Sequence, residues 1–238
     1  MTTALEHWHR CGWERTTAVT ADFVAFVRSH DLDRLERPVP DMDWRAVDVV
    51  AHVASVFRRY TVNPERSADA AEVAEQNAAD IDAMDLTVDE LLDDITAQVA
   101  LMGAAIDLVA PDHEFPFHAG QPITLAGGWG NAIGELLAHG DDISRATGGA
   151  WTVAGADLEP MWRFTTKVLP GWLTSEGRAA AEIWELHLGF ASGPVRLRFD
   201  HGAVLVDDDV PDGDADHVIE GEATATTLAR LASYLLPF

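Results

Sequence analysis

Lysine is almost missing from this chain. Of its 16 basic residues only Lys167 is a lysine and the rest are arginines, set against 40 aspartates and glutamates in 238 residues. The formal charge of −24 argues against nucleic-acid partners, because tracking a phosphate backbone takes clustered Lys and Arg that release counterions. Here the arginines are scattered among carboxylates. An anionic membrane surface would repel the same exterior. Cysteine is just as scarce: a single residue, Cys11, excludes an internal disulfide and fits a reducing compartment. Beside Gly12, and without a flanking charge pattern to stabilise a thiolate, Cys11 reads as an inert helix residue. Long apolar runs are absent as well. No stretch approaches the ~18 residues of a membrane span, and the opening MTTALEHWHR has no basic segment followed by an apolar core, so the protein is predicted to be cytoplasmic.

What is present is a hydrophobic fraction of 47%, enough for a solid core beneath a solvated acidic exterior. Apolar spacing predicts a helix over residues 14–29 through Val19, Phe23, Phe26 and Val27. A second is expected from Asp43, as N-cap before Trp44, through Val47, Val50, Val53 and Phe57. The Ala- and acid-rich SADAAEVAEQNAADIDAM suggests an exposed or lid-like helix. Thr87 and Glu90 form a capping box ahead of a long third helix, LLDDITAQVALMGAAIDLV. Residues 111–130 read as an irregular connection, and a fourth helix over 129–147 is closed by Gly148 and Gly149. Four principal helices with one elaborate crossover suggest a bundle. Beyond the two glycines one more helix is expected over 158–173, and then the period changes. EIWELHLGF, PVRLRF, AVLVD and DHVIEGE read as short strands, followed by a last helix, ATATTLARLASYL. The order predicts an α+β module with an antiparallel sheet, and a division into residues 1–150 and 151–238.

Two helices carry residues suited to chemistry. His52 lies in VDVVAHVASVF beside the apolar stripe of Val49, Val53 and Val56, where a histidine with one hydrogen bond in a helix interface is the bland reading. Glu135 and His139 stand one helical turn apart in GELLAHGDD, flanked by Ala132, Leu136 and Ile143. Burying a carboxylate and an imidazole among aliphatic groups is costly unless something pairs them, and a divalent cation would do so. His52, Glu135 and His139 would make three N/O ligands of the kind that suit zinc and leave a fourth position open. An exposed ion pair between Glu135 and His139 accounts for the same spacing. Asp48, one turn before His52, is a further ligand, an acceptor for its ring N–H, or a first-turn acid facing the helix dipole. Asp141 and Asp142 read as solvated. Trp44, Trp129 and Arg145 could lie near the site, the tryptophans as packing and the arginine as a partner of the helix C-terminus.

DWRAVDVVAHVASVF together with GELLAHGDDISRATG resembles the mycothiol-dependent maleylpyruvate isomerase family, whose N-terminal domain is a DinB-like metal-binding four-helix bundle. DADHVIEGEATATTLARL is similar to that family's small, sterol-carrier-like C-terminal domain. The resemblance implies a divalent metal, zinc in the first instance, on His52, Glu135 and His139, with mycothiol as the thiol cofactor. Its partners would be a small electrophile and the thiol, with neither nucleic acid nor membrane, in a monomer or homodimer. It further implies addition of the activated thiol to the electrophile, ending in cis–trans isomerisation or S-transfer. The family's catalytic arginine has Arg230 as its candidate here, where a solvent-facing arginine on the last helix is the other reading. Because the C-terminal module resembles lipid carriers, a non-catalytic small-molecule or lipid-binding protein with a structural metal is the competing class. A regulatory protein that engages a partner through its C-terminal sheet is a third.

Overall fold

The computed structural model describes residues 4–62, 67, 70–118, 122–154, 181–187, 194–206 and 214–220, with single positions at 157, 160, 161, 164, 165, 168 and 179. Helix α1 (Ala4–Arg28) begins ten residues before its predicted start. Its first turns lack an apolar stripe and are held by long-range bonds instead: the Trp8 indole donates to the Ala126 carbonyl and His9 meets the Ile106 carbonyl. After the short α2 (Leu32–Leu35) comes α3 (Ala46–Thr61). The N-cap of α3 is Arg45 and not the predicted Asp43, because the Asp48 carboxylate accepts the Arg45 backbone N–H at 2.9 Å and so secures the helix two residues later. Valine-rich α3 has modest intrinsic helix propensity. Its stability comes from burying Val49, Val50, Val53 and Phe57 completely, in the i, i+3, i+4 pattern of a core-facing stripe.

The acidic segment forms α4 (Ala70–Asp82), largely exposed as expected and anchored by buried Val73. The Thr87/Glu90 capping box opens α5 (Val88–Ala105). The connection expected to be irregular contains an antiparallel ribbon, β1 (Glu114–Pro116) with β2 (Pro122–Thr124). Then α6 (Leu125–Thr147) starts earlier than predicted, with the Thr124 hydroxyl accepting the Gly127 N–H. It ends where predicted, at Gly148, whose φ of 75° is the left-handed conformation that glycine adopts without penalty. Helices α1, α3, α5 and α6 pack as the bundle, α1 and α3 each touching both α5 and α6.

Of the predicted helix over 158–173, Pro160, Met161, Phe164, Thr165 and Val168 are helical. Two glycines admit this stretch and the chain before it to the back of α6: a Cβ on Gly140 would overlap the Trp151 indole, and one on Gly130 the Pro160 carbonyl. The second half forms a sheet in the order β5-β4-β3-β6, made of β3 (Ala181–His187), β4 (Val195–Asp200), β5 (Ala203–Val206) and β6 (His217–Glu220). β3, β4 and β5 form the antiparallel meander expected, whereas β6 returns to the far edge and pairs with β3 in parallel, Glu185 opposite Val218. Leu186, Val195, Leu197 and Phe199 line the sheet's inner face and belong to the same buried cluster as the bundle core. Among the described residues no helix is long and apolar enough to cross a membrane. The predicted last helix, with Arg230, lies outside the described residues.

Candidate metal centre

The α3/α6 seam brings His52, Glu135 and His139 together. The His52 Nε2 lies 3.5 Å and the His139 Nε2 3.3 Å from the same oxygen, Oε2, of Glu135, and one ligand atom from each residue falls within 4.8 Å of the other two. Zinc bonds of about 2.0–2.1 Å set the edges of a coordination tetrahedron at about 3.4 Å, close to both histidine–carboxylate distances. The seam is nearly closed: His52 is 5% exposed, and the Glu135 and His139 side chains 22% and 14%. The donor set of two imidazoles and a carboxylate fits a borderline divalent cation. The His52 Nε2 turns toward the carboxylate, while its Nδ1, on the far side of the ring, is buried without a hydrogen-bond partner.

The electrostatics show what the cluster does without a cation. Burial alone would raise the Glu135 pKa, but hydrogen bonds from His139 and His52 and their charge hold it well below the usual carboxylate range. Burial opposes the charged form of His139 too, and is outweighed by Asp142 and Glu135, which push its pKa up. Burial wins at His52, whose pKa falls below the ordinary imidazole value although Glu135 pulls the other way. The metal-free cluster at neutral pH is therefore an imidazolium at His139, a carboxylate at Glu135 and a neutral His52.

Asp48 takes the helix-start place among its alternatives, and Asp142 departs from the sequence reading. Asp48 is no ligand and no acceptor for His52: both its oxygens are engaged by Arg45, through the backbone N–H and through guanidinium bonds of 2.9 and 2.7 Å. Asp142 is not solvated. Its side chain is 15% exposed and its Oδ2 accepts from the His139 Nδ1 at 2.9 Å, while His139 and Arg145 overcome burial and keep its pKa low. Arg145 reaches the site only through this acid, donating to the Asp142 Oδ1 at 2.6 Å. The Trp44 ring lies against His52 with centroids 5.0 Å apart. Trp129 is buried away from the cluster and donates to the His9 Nδ1 at 3.0 Å, a packing role. Cys11 sits on α1 with its sulfur near His7.

A second polar cluster occupies the same helix two turns beyond His52. The buried Arg59 guanidinium donates through Nε to the Asp80 Oδ2 at 2.9 Å and through Nη2 to the Asn77 Oδ1 at 2.8 Å, both on α4, with the buried His118 alongside.

Comparison with known proteins gives a family and a fold. Residues 16–144 match the family described as the mycothiol maleylpyruvate isomerase N-terminal domain. A crystal structure of the mycothiol-dependent maleylpyruvate isomerase is similar in fold, with a TM-score of 0.56 at 18% identity over 97% of this chain and 89% of that one. A second structure of that enzyme, carrying a His-to-Ala substitution, matches equally well. No curated protein matches.

Proposed function

The chain belongs to the mycothiol maleylpyruvate isomerase N-terminal domain family, and on that premise we propose that it is a metal-dependent isomerase using the small thiol mycothiol. The observation that carries the reading is the convergence of His52, Glu135 and His139 on one spot, with both histidine Nε2 atoms 3.3–3.5 Å from the same Glu135 oxygen. These three residues would hold the cation, zinc in the first instance, and leave one position for a thiol or water. A cation and thiol bound together supply a nucleophilic sulfur at neutral pH for reversible addition to an activated double bond, the chemistry of cis–trans isomerisation.

The protein's own part is positional and electrostatic. Glu135 brings one negative charge and the histidines none once His139 has given up its proton, so the site stays net positive toward an anionic sulfur. The fully buried Val49, Val53, Leu136 and Ile143 keep bulk water from the seam, where charge interactions are stronger than in solvent. Completion of the substrate site is assigned to the sheet-containing module after residue 150, with Arg230 as its catalytic arginine. S-transfer would use the same ligands and differ in the rest of the cleft. A cytoplasmic setting keeps the thiol reduced.

The test is elemental analysis of the purified protein with a turnover assay on maleylpyruvate and mycothiol. About one divalent metal per chain is expected, with activity that chelation removes and zinc restores. A wild-type protein that neither retains nor takes up metal would overturn the reading. For Arg230, substitution by Met is expected to lower kcat without changing metal content.

A further inference from the structure

The two histidines of the triad are held in different ways. The His52 Nδ1 has no hydrogen-bond partner, and its ring is set by packing against Trp44. The His139 Nδ1 donates to the Asp142 Oδ2 at 2.9 Å. An ionised carboxylate only accepts, so this bond keeps a proton on Nδ1, and it is the Nε2 proton, on the side of Glu135, that a cation would displace to reach a lone pair. The other oxygen of Asp142 takes the Arg145 Nη2 at 2.6 Å, and the Arg145 Nη1 donates to the Pro40 carbonyl at 3.2 Å. Asp41 and Asp141 also lie near this guanidinium, at 3.8 and 3.6 Å. Pro40 and Asp41 belong to the α2–α3 loop that carries Trp44, a loop closed by the Val39 N–H to Trp44 carbonyl bond of 2.8 Å.

We propose that Asp142 is a positioning residue of this centre, setting the His139 ring for metal binding, and that Arg145 locks Asp142 to the loop that also seats Trp44 on His52. The proposal rests on the triad being the metal ligands. It explains why a second acid in GELLAHGDD is buried one turn beyond the histidine: an unanchored imidazole on a helix can rotate about its side-chain bonds, whereas one bonded through Nδ1 is fixed in tautomer and direction. Arg145 offsets the charge of Asp142 and occupies its second oxygen, leaving Glu135 as the carboxylate aimed at the cation.

The experiment is a competitive chelator titration of zinc on the full chain, paired with the visible spectrum of the cobalt-loaded protein and the thermal midpoint of each metal-free variant. Asp142→Ala is expected to weaken zinc binding about 10- to 100-fold and to alter the cobalt spectrum. Asp142→Asn keeps an acceptor for the ring N–H and should lose less, and Arg145→Met should lose less than Asp142→Ala. A purely structural acid would lower the midpoint and leave zinc affinity and the cobalt bands at wild-type values, and that result overturns the proposal. Should Asp142→Ala not fold, unchanged affinity and spectrum in both Asp142→Asn and Arg145→Met overturn it equally. A wild-type chain that binds no metal removes the triad reading and this proposal together; a metal-binding wild type with indifferent variants removes this proposal alone.

Discussion

Helix α3 buries two polar clusters two turns apart, and they are built on opposite principles. At Arg59 a cation meets its complement, with Asp80 and Asn77 accepting N–H groups from the guanidinium. The guanidinium charge is met by the carboxylate of Asp80. At His52 the groups are all of the kind that ligate a metal: two imidazole nitrogens and a carboxylate oxygen crowd one point, and the metal-free cluster is held by hydrogen bonds from both histidines to Glu135, with the additional proton on His139. Equal burial of Arg59 and His52 on one helix thus does not distinguish a polar cluster that braces the fold from one that awaits a ligand. What separates them is the balance of lone pairs and protons, which burial does not report.

The largest expected effect breaks the second cluster alone. Glu135→Ala should cut bound metal from about one per chain to under about a tenth, since two neutral histidines make a poor zinc site. Asp80→Ala should leave metal content untouched; loss of metal from both variants would show that the clusters act as one unit. Asp80→Ala should nevertheless destabilise the fold by about 3 kcal/mol, read from chemical denaturation, because a buried guanidinium loses the carboxylate that takes two of its N–H groups.

The proton on His139 sharpens the contrast through pH. Metal uptake displaces that proton, so zinc affinity should fall roughly tenfold for each pH unit between pH 8 and pH 6, measured by chelator competition. The sign for folding follows from the same shift. Because the folded pKa of His139 is raised, the stabilisation it supplies is complete below the ordinary histidine pKa and is lost as pH rises through the raised value. Glu135 is depressed, so its contribution is lost on the acid side. Saturating zinc should flatten the alkaline decline. The smallest effect concerns neither cluster: Gly148→Ala, at a φ of 75°, should cost about 1 kcal/mol with metal content unchanged.

Much of the centre was legible because its signals are local. Glu135 and His139 share a helix face by their spacing, His52 lies on an apolar helix, and the resemblance joined the two segments. Asp142 was missed although the signal existed: it stands three residues after His139, a spacing that shares a face, but the adjacent acids looked like a solvated pair. Only the seating of α6 against the α2–α3 loop, where Arg145 meets Pro40, draws one of them inward. For Asp48 the sequence left open a ligand, an acceptor for His52 and a first-turn acid, and the structure takes the last, its partner being an arginine three residues upstream and not the histidine one turn on. The early start of α1 escaped because its first turns are held by carbonyls more than ninety residues away, and the parallel placement of β6 because alternation along a strand says nothing about its neighbour's direction.

By itself the sequence determined the acidic exterior, the helical half, the change of period after Gly149 and the identity of three ligand-type side chains. These rest on charge count, periodicity and turn chemistry, which act within a few residues. The tertiary structure alone decided that the three side chains meet on one point, that one acid of two turns inward to hold His139, and that Arg59 meets a carboxylate on α4. Such outcomes depend on which buried groups find partners between packed helices, and unpaired polarity in a low-dielectric interior is costly enough to decide each partnership.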